Sequence, residues 1–196
     1  MVETLSIQLM RKVGLTLKQM QLVVGSLLGD AYLVKTTRGF AFRVNHGLRQ
    51  RDYVDWKYNL LENLVNSSPR SSGNCYYFRT VSHPVFAELQ GKFYANGRRV
   101  LPAAFVGKYL APLTLAVWIM DDGTKCGNQL RINSQCFSVE ENRILQELLS
   151  AKLGIKTVLN KDKDMVRLRV LNESMPRLIT LAKPYIIPSM LYKLPP

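Results

Sequence analysis

Two segments of the same construction constrain this chain most: VVGSLLGDAYL (residues 23–33) and LAVWIMDDGTK (residues 115–125). Each is apolar almost all round, the pattern of a helix buried on every side. Each ends in an aspartate, Asp30 or Asp122, at the end where the helix dipole is negative and disfavours a carboxylate. The two aspartates stand 92 residues apart, which is too long for a solenoid repeat and suits two copies of one α+β unit. Gly25 and Gly29, four apart, leave a strip without side chains where another helix can approach closely. If the two helices pack across a pseudo-twofold axis, their terminal carboxylates converge. Converging carboxylates repel unless a divalent cation lies between or beside them, and oxygen-only ligation suits Mg2+ (or Mn2+) and metal-assisted phosphodiester hydrolysis. One such aspartate alone reads as a helix stop or a solvated helix end; two at equivalent positions in a basic chain do not.

The remaining pattern repeats in the same order around these helices. In the first half it predicts a helix over residues 16–30 with Thr16 as N-cap and a hairpin turning at Thr37-Arg38-Gly39. A helix over 52–65 follows, with Tyr53, Trp56, Leu60, Leu61 and Leu64 on one stripe, then a loop over 66–74 and a strand over 75–79. His83-Pro84 opens a helix that closes near Asn96-Gly97. In the second half Pro112 opens a helix that stops at Gly123, and a hairpin over 125–134 turns at Gly127-Asn128. Ser138-Val-Glu-Glu starts a capping-box helix to about Leu153. Strands over 156–160 and 165–171 flank the charged turn 161–164, and a last helix from Asn172 leads into a proline-punctuated tail. The fold class is α+β: an N-terminal extension over 1–14, then halves over 15–110 and 111–196.

Lys and Arg number 27 against 14 Asp and Glu, a formal net charge of +13, which points to a polyanionic partner, phosphate backbone before anionic membrane. A membrane span is excluded, because the longest apolar stretches carry Asp30 or are broken by Pro112 and none reaches roughly 18 residues. Cys75, Cys126 and Cys136 are odd in number without C-x-x-C spacing, so neither a disulfide framework nor a zinc knuckle is indicated. With only His46 and His83, a Cys/His finger is excluded and the residues argue against a histidine–metal nuclease site. The N-terminus lacks a signal-peptide pattern, so the protein is expected to act where it is made.

Period-2 alternation marks three cationic strand faces. Ala41, Arg43 and Asn45 share one face against Phe40, Phe42 and Val44; Arg131, Asn133 and Gln135 share another; Arg167 and Arg169 stand against Val166, Leu168 and Val170. Arg, Asn and Gln are the side chains that read guanine and adenine edges in the major groove. Lys35, Arg38, Lys125, Lys161 and Lys163 lie on or beside turns and suit phosphate contacts.

The segments VVGSLLGDA (23–31) and LAVWIMDDG (115–123) resemble the two signature motifs of the LAGLIDADG homing endonuclease family, in its single-chain, double-motif branch. Similar stretches are RRVLPAAFVGKYLAPLTLAVWIMDDG (98–123), INSQCFSVEE (132–141) and KPYIIPSMLYKLP (183–195), so the likeness covers residues 15–195. The resemblance implies a repeated αββαββα half-domain whose two saddle-shaped antiparallel sheets grip a long recognition site in double-stranded DNA, as a monomer without an obligate protein partner. It implies that Asp30 and Asp122 bind Mg2+ at the scissile phosphates, that the carbonyls of Gly29 and Asp121 join them, and that Arg99 and Lys193 are the basic residues of the two active sites. Val117 stands at the third motif position, where Gly is usual, and Asp121 at the seventh, where Ala is usual, so the helix interface is expected to be asymmetric. Arg99 stands where lysine is commoner; a guanidinium cannot accept a proton at physiological pH, which leaves it a phosphate-binding role. The implied activity is site-specific double-strand cleavage that starts homing of an intron or intein. The same fold also serves RNA maturases that assist intron splicing, and a DNA-binding regulator is a more distant reading; the presence of both aspartates favours the nuclease. The implied compartment is a mitochondrion or chloroplast for an organelle-encoded chain, otherwise the bacterial cytoplasm.

Overall fold

The computed structural model of the protein describes residues 5–195; the first four residues of the expected N-terminal extension and Pro196 lie outside the described residues. Helix α1 (Leu5–Met10) precedes the first motif helix, α2 (Leu17–Leu28). Thr16 caps α2 in a capping box: its hydroxyl accepts the Gln19 N–H at 3.2 Å and the Gln19 side chain accepts the Thr16 N–H at 3.0 Å. The helix ends two residues earlier than expected. Gly29 leaves the helical conformation (φ −104°, ψ −128°), and the Asp30 N–H bonds across the interface to the Asp121 carboxylate at 3.2 Å instead of back into its own helix.

The first half continues through β1 (Tyr32–Thr36), β2 (Gly39–Gly47), α3 (Arg51–Leu60), β3 (Arg70–Ser72), β4 (Cys75–Arg79) and α4 (Pro84–Phe93). Strand β3 lies inside the segment expected to be loop: Gly73, at φ 55°, turns it back onto β4 with Ser72 opposite Cys75. Three exposed polar residues carry no alternation to reveal it. Helix α4 closes three residues before Asn96. Asn96 (φ 50°) and Gly97 (φ 75°) instead form a two-residue turn between β5 (Tyr94–Ala95) and β6 (Arg98–Arg99), the primed hairpin that Asn-Gly strongly favours.

Next come α5 (Ala103–Tyr109), in a stretch where the pattern assigned no element, and the second motif helix α6 (Pro112–Asp122). The second half then runs through β7 (Gly123–Cys126), β8 (Gln129–Ile132), α7 (Val139–Leu153), β9 (Thr157–Asp162), β10 (Met165–Val170) and α8 (Met175–Ala182). Ser138 caps α7 in the expected capping box and Gly154 ends it at φ 65°. The turn after β9 is tighter than expected, so Lys161 lies in the strand and only Lys163 (φ 56°) and Asp164 turn.

Both sheets are antiparallel and identically wired, β1-β2-β4-β3 and β7-β8-β10-β9. The fold is therefore α+β, two pseudo-symmetric αββαββα halves. Helices α2 and α6 meet at the centre. A Cβ added at Gly25 would lie 2.6 Å from the Thr114 carbonyl oxygen and 2.9 Å from the Val117 Cβ, so only glycine lets the two backbones come this close. Val117, in place of the usual Gly, fills the space that Gly25 leaves, and the interface is asymmetric as expected. One apolar core runs through both halves around this pair. Among the described residues no single helix is long and apolar enough to cross a membrane. In the tail, Ile186, Met190 and Leu194 are buried, whereas Leu191 is exposed.

Candidate active site

The turn after α2 and the end of α6 bring Asp30 and Asp122 into one electrostatic cluster. The Asp122 carboxyl is pushed up to about 8, first by burial and then by the charges of Asp30 and Asp121. Asp30 is pushed up to about 6, again first by burial and then by Asp121. The charges of Arg99 and Lys193 pull both back toward the ordinary range.

Arg99 and Lys193 occupy matching places. Arg99 donates through Nη1 to the Gly29 carbonyl at 2.6 Å and through Nη2 to the Ala31 carbonyl at 3.0 Å, the carbonyls of the two residues that flank Asp30. Lys193 Nζ donates to the Asp121 carbonyl at 3.2 Å and the Gly123 carbonyl at 3.0 Å, the carbonyls of the two residues that flank Asp122. Each cation thus caps the negative end of a motif helix, where positive charge is favoured. The carbonyls of Gly29 and Asp121, implied as metal ligands, are acceptors here, each with a second lone pair remaining.

Beneath this layer lies a set that the sequence did not single out. The Asp121 side chain is fully buried and holds the equally buried Lys57 Nζ at 2.8 Å and 3.1 Å. The Lys57 ammonium lies 4.3 Å from the Tyr53 ring centre, and the Tyr53 hydroxyl donates to the Val117 carbonyl at 3.2 Å. His46 stands between two carboxylates, Nδ1 3.7 Å from Asp30 Oδ2 and Nε2 3.7 Å from Asp121 Oδ1. Burial first, then the Lys57 charge, lowers its pKa to about 4, so the ring is neutral at physiological pH. Candidate ligand atoms of Asp30, His46 and Asp121 lie within 4.8 Å of one another, but Lys57 already pairs with Asp121. The signal for Lys57 was present: it stands one turn after Tyr53 on the apolar stripe of α3. His46 follows Phe42 and Val44 on the core face of β2.

The strand faces separate largely as the alternation predicts. Arg43 and Asn45 are half-buried on the face of β2 opposite the buried Phe42 and Val44. Ala41, expected with them, is buried, because its methyl is shorter than the side chains around it. Arg131 lies on β8 and Arg167 and Arg169 on β10. Asn133 and Gln135 lie past the end of β8, where Asn133 bonds Thr124 and Arg167 at 3.1 Å and 3.2 Å and Gln135 bonds Asp162 at 2.7 Å. Tyr32 pairs with Arg43 and Thr124 with Arg131, each two residues past its aspartate, so Arg43 and Arg131 are equivalent. The buried atoms Arg43 Nε, Asn45 Oδ1, Arg131 Nε and Arg167 Nε have no hydrogen-bond partner within the protein. Arg43 also stacks 4.5 Å from the Tyr77 ring centre and lines, with Arg70 and Arg79, a cavity of about 470 Å³. Lys35, Arg38, Lys125, Lys161 and Lys163 are exposed at strand ends and turns.

Residues 20–178 match the model of the LAGLIDADG DNA endonuclease family. The chain is 34% identical to the cytochrome b mRNA maturase bI2 of Debaryomyces hansenii over 90% of its own length and 73% of that protein. It is 32% identical to the maturase of the same name from Saccharomyces cerevisiae, of which it spans about half (48%). A probable intron-encoded DNA endonuclease 3 of Mycosarcoma maydis is 34% identical over 61% of this chain and 93% of its own length. Among solved structures, the homing endonuclease I-WcaI bound to its DNA recognition sequence superposes with a TM-score of 0.87 at 24% identity, covering 98% of this chain and 93% of that one. With residues 20–178 matched to it, the chain belongs to the LAGLIDADG DNA endonuclease family.

Proposed function

We propose that this chain is a site-specific endonuclease that cuts both strands of a long DNA target in a divalent-cation-dependent reaction, starting homing of an intron or intein. The observation that carries this reading is the pair Asp30 and Asp122, each with a cation gripping the peptides around it, at the junction of two basic sheets. Burial and mutual repulsion raise both carboxyls, and the compensating positive charge that would offset this is what a divalent cation supplies to oxygen donors. The residues therefore fit Mg2+ (or Mn2+), held by Asp30 and Asp122 with the Gly29 and Asp121 carbonyls within the same turns. Such a cation contributes an acidified water and neutralises charge on the scissile phosphate.

The chain's own residues do the rest. Arg99 and Lys193 fix the two aspartate-bearing turns and present positive charge where charge develops on the phosphate. Arg43, Asn45, Arg131, Asn133, Gln135, Arg167 and Arg169 meet base edges, while Lys35, Arg38, Lys125, Lys161 and Lys163 meet phosphates and set the register. Both aspartates and both sheets belong to one chain, so a monomer can address both strands, with functional halves over 15–110 and 111–196. An organelle-encoded chain acting where it is made fits the intron-related names of its relatives.

A second reading, an RNA maturase using the same basic surface, draws on the two maturase relatives. Selection of cleaved duplexes from a randomised library, with and without Mg2+, separates the two. Wild type should cut both strands with Mg2+, and the Asp30→Asn/Asp122→Asn variant should cut neither while still binding. Cleavage by that double variant would overturn the assignment. Accelerated splicing of intron RNA without DNA cleavage would put the maturase reading first.

A further inference from the structure

The two half-sites are not built alike. Gly29 and Asp121 occupy the same motif position, immediately before Asp30 and Asp122. On one side that residue has no side chain; on the other it is a carboxylate that crosses the helix interface. Asp121 Oδ2 accepts the Asp30 N–H at 3.2 Å, and Oδ1 accepts from Lys57 Nζ at 2.8 Å. A Cβ added at Gly29 would lie 2.6 Å from Asp121 Oδ2, so the glycine makes room for the carboxylate. Lys57 is boxed in turn by the Tyr53 ring, whose hydroxyl is tied to the Val117 carbonyl on α6. A continuous polar chain thus runs from α6 through α3 to the turn that carries Asp30.

Among the described residues Asp122 has no such support. Its counterpart to Asp121 is Gly29. The register that equates Arg43 with Arg131 puts Ser134 where the first half has His46, and Ser134 pairs with the neutral Asn142 of α7 at 2.5 Å. The other core-facing positions of α7 are Leu145, Leu149 and Leu153. A buried ion pair is weak evidence for a gain in stability, because desolvating both charges offsets their attraction. Its placement on one side only calls for a local reason.

We propose that Lys57 and Asp121 form a positioning pair for Asp30 alone, so that the two half-sites act at unequal rates. The unequal rates rest on the endonuclease reading; the positioning of Asp30 does not. Removing only Lys57 strands a buried carboxylate and threatens folding. The informative variant is therefore Lys57→Met/Asp121→Ala, which removes both charges together. Lys57→Met/Asp121→Asn is its conservative rescue, because the amide oxygen can still accept the Asp30 N–H.

Hydrogen exchange of the Asp30 amide, followed by NMR in the free protein, reads the positioning directly. It should quicken by about tenfold or more in the Ala variant and return toward wild type in the Asn variant, with the Asp122 amide unchanged. On a duplex that wild type cuts with Mg2+, strand-resolved single-turnover cleavage should slow by about tenfold or more on one strand only, accumulating nicked product, with the ratio restored by the Asn variant. Unchanged exchange at Asp30, or equal slowing of both strands, overturns the proposal. If wild type cuts no duplex, the endonuclease reading fails, and exchange at Asp30 still decides the positioning role.

Discussion

Replacing Asp122 by asparagine should stabilise the metal-free protein, and by an amount that depends on pH. The folded-state pKa of Asp122 is about 8 against an ordinary value of 3.8, raised first by burial and then by Asp30 and Asp121. Below about pH 4 the folded and unfolded chains both carry the proton, so the site contributes no difference. As pH rises further the unfolded chain ionises while the fold holds the proton, so stability falls until about pH 8, where the fold releases it too. At pH 7 the full difference is about three pH units, roughly 4 kcal/mol. Asp122 is only partly buried, and hydration discounts this to about 2 kcal/mol. Asparagine has no proton to lose, so Asp122→Asn should melt about 4–8 °C above wild type at pH 7 and converge with it toward about pH 4. Thermal unfolding across this range in a chelating buffer measures both curves. Added Mg2+ should lift wild type by mass action and lift the variant less. Parallel curves for the two proteins would refute the reasoning.

Gly25→Ala should destabilise the fold by roughly 1–3 kcal/mol in urea unfolding, because its methyl would lie 2.6 Å from the Thr114 carbonyl oxygen; an unchanged midpoint would show that α2 and α6 are not packed this closely. Lys193→Met should slow one strand's cleavage by roughly 10²–10³ and Arg99→Met the other strand's, nicked product accumulating in each case, whereas equal slowing of both strands would dissolve the pairing of one cation with one aspartate. Arg43→Ala and Arg131→Ala should relax base preference by roughly 1–3 kcal/mol at equivalent positions of the two half-sites, whereas Lys161→Ala weakens binding to all sequences alike. Binding profiles over single-base variants decide this, and a uniform loss for Arg43→Ala reassigns it to the backbone.

The parts of this structure that were legible in the sequence are those where a local rule had no competitor. Two apolar segments ending in aspartate gave the helix pair, Gly25 gave its close approach, and the capping boxes at Thr16 and Ser138 gave two helix starts. The misreadings fall where two rules met. Asn96-Gly97 satisfies both a helix stop and a primed turn, and the turn prevailed, which is what places Arg99. The end of α2 was misjudged because the Asp30 N–H is claimed by a residue 91 positions away, beyond any window of periodicity. Lys57 was missed because a lysine on an apolar stripe ordinarily turns its ammonium to water; only a buried carboxylate from another helix could hold it inside. His46 was set aside by counting histidines, a test that bears on ligation and not on filling the space between carboxylates.

The cations that flank the two aspartates show why the repeat alone does not make the site. Arg99 follows Asp30 by 69 residues and Lys193 follows Asp122 by 71, yet the two are carried by unlike structures. Arg99 lies on a two-residue strand fixed by an Asn-Gly turn; Lys193 ends a short 3₁₀ segment, Pro188–Lys193, pinned by the buried Met190 and Leu194. What is shared is the destination: each reaches the carbonyls on either side of an aspartate at a helix C-terminus. Electrostatics explains the coincidence. Two carboxylates at the negative ends of two helices, in mutual repulsion, leave the exposed carbonyls beside them as the places where a fixed positive charge is most favoured. Any segment that follows a motif helix at the right distance and brings a cation there lowers the energy of the metal-free fold. On the endonuclease reading, that same charge would stand beside a phosphate bound at the carboxylates.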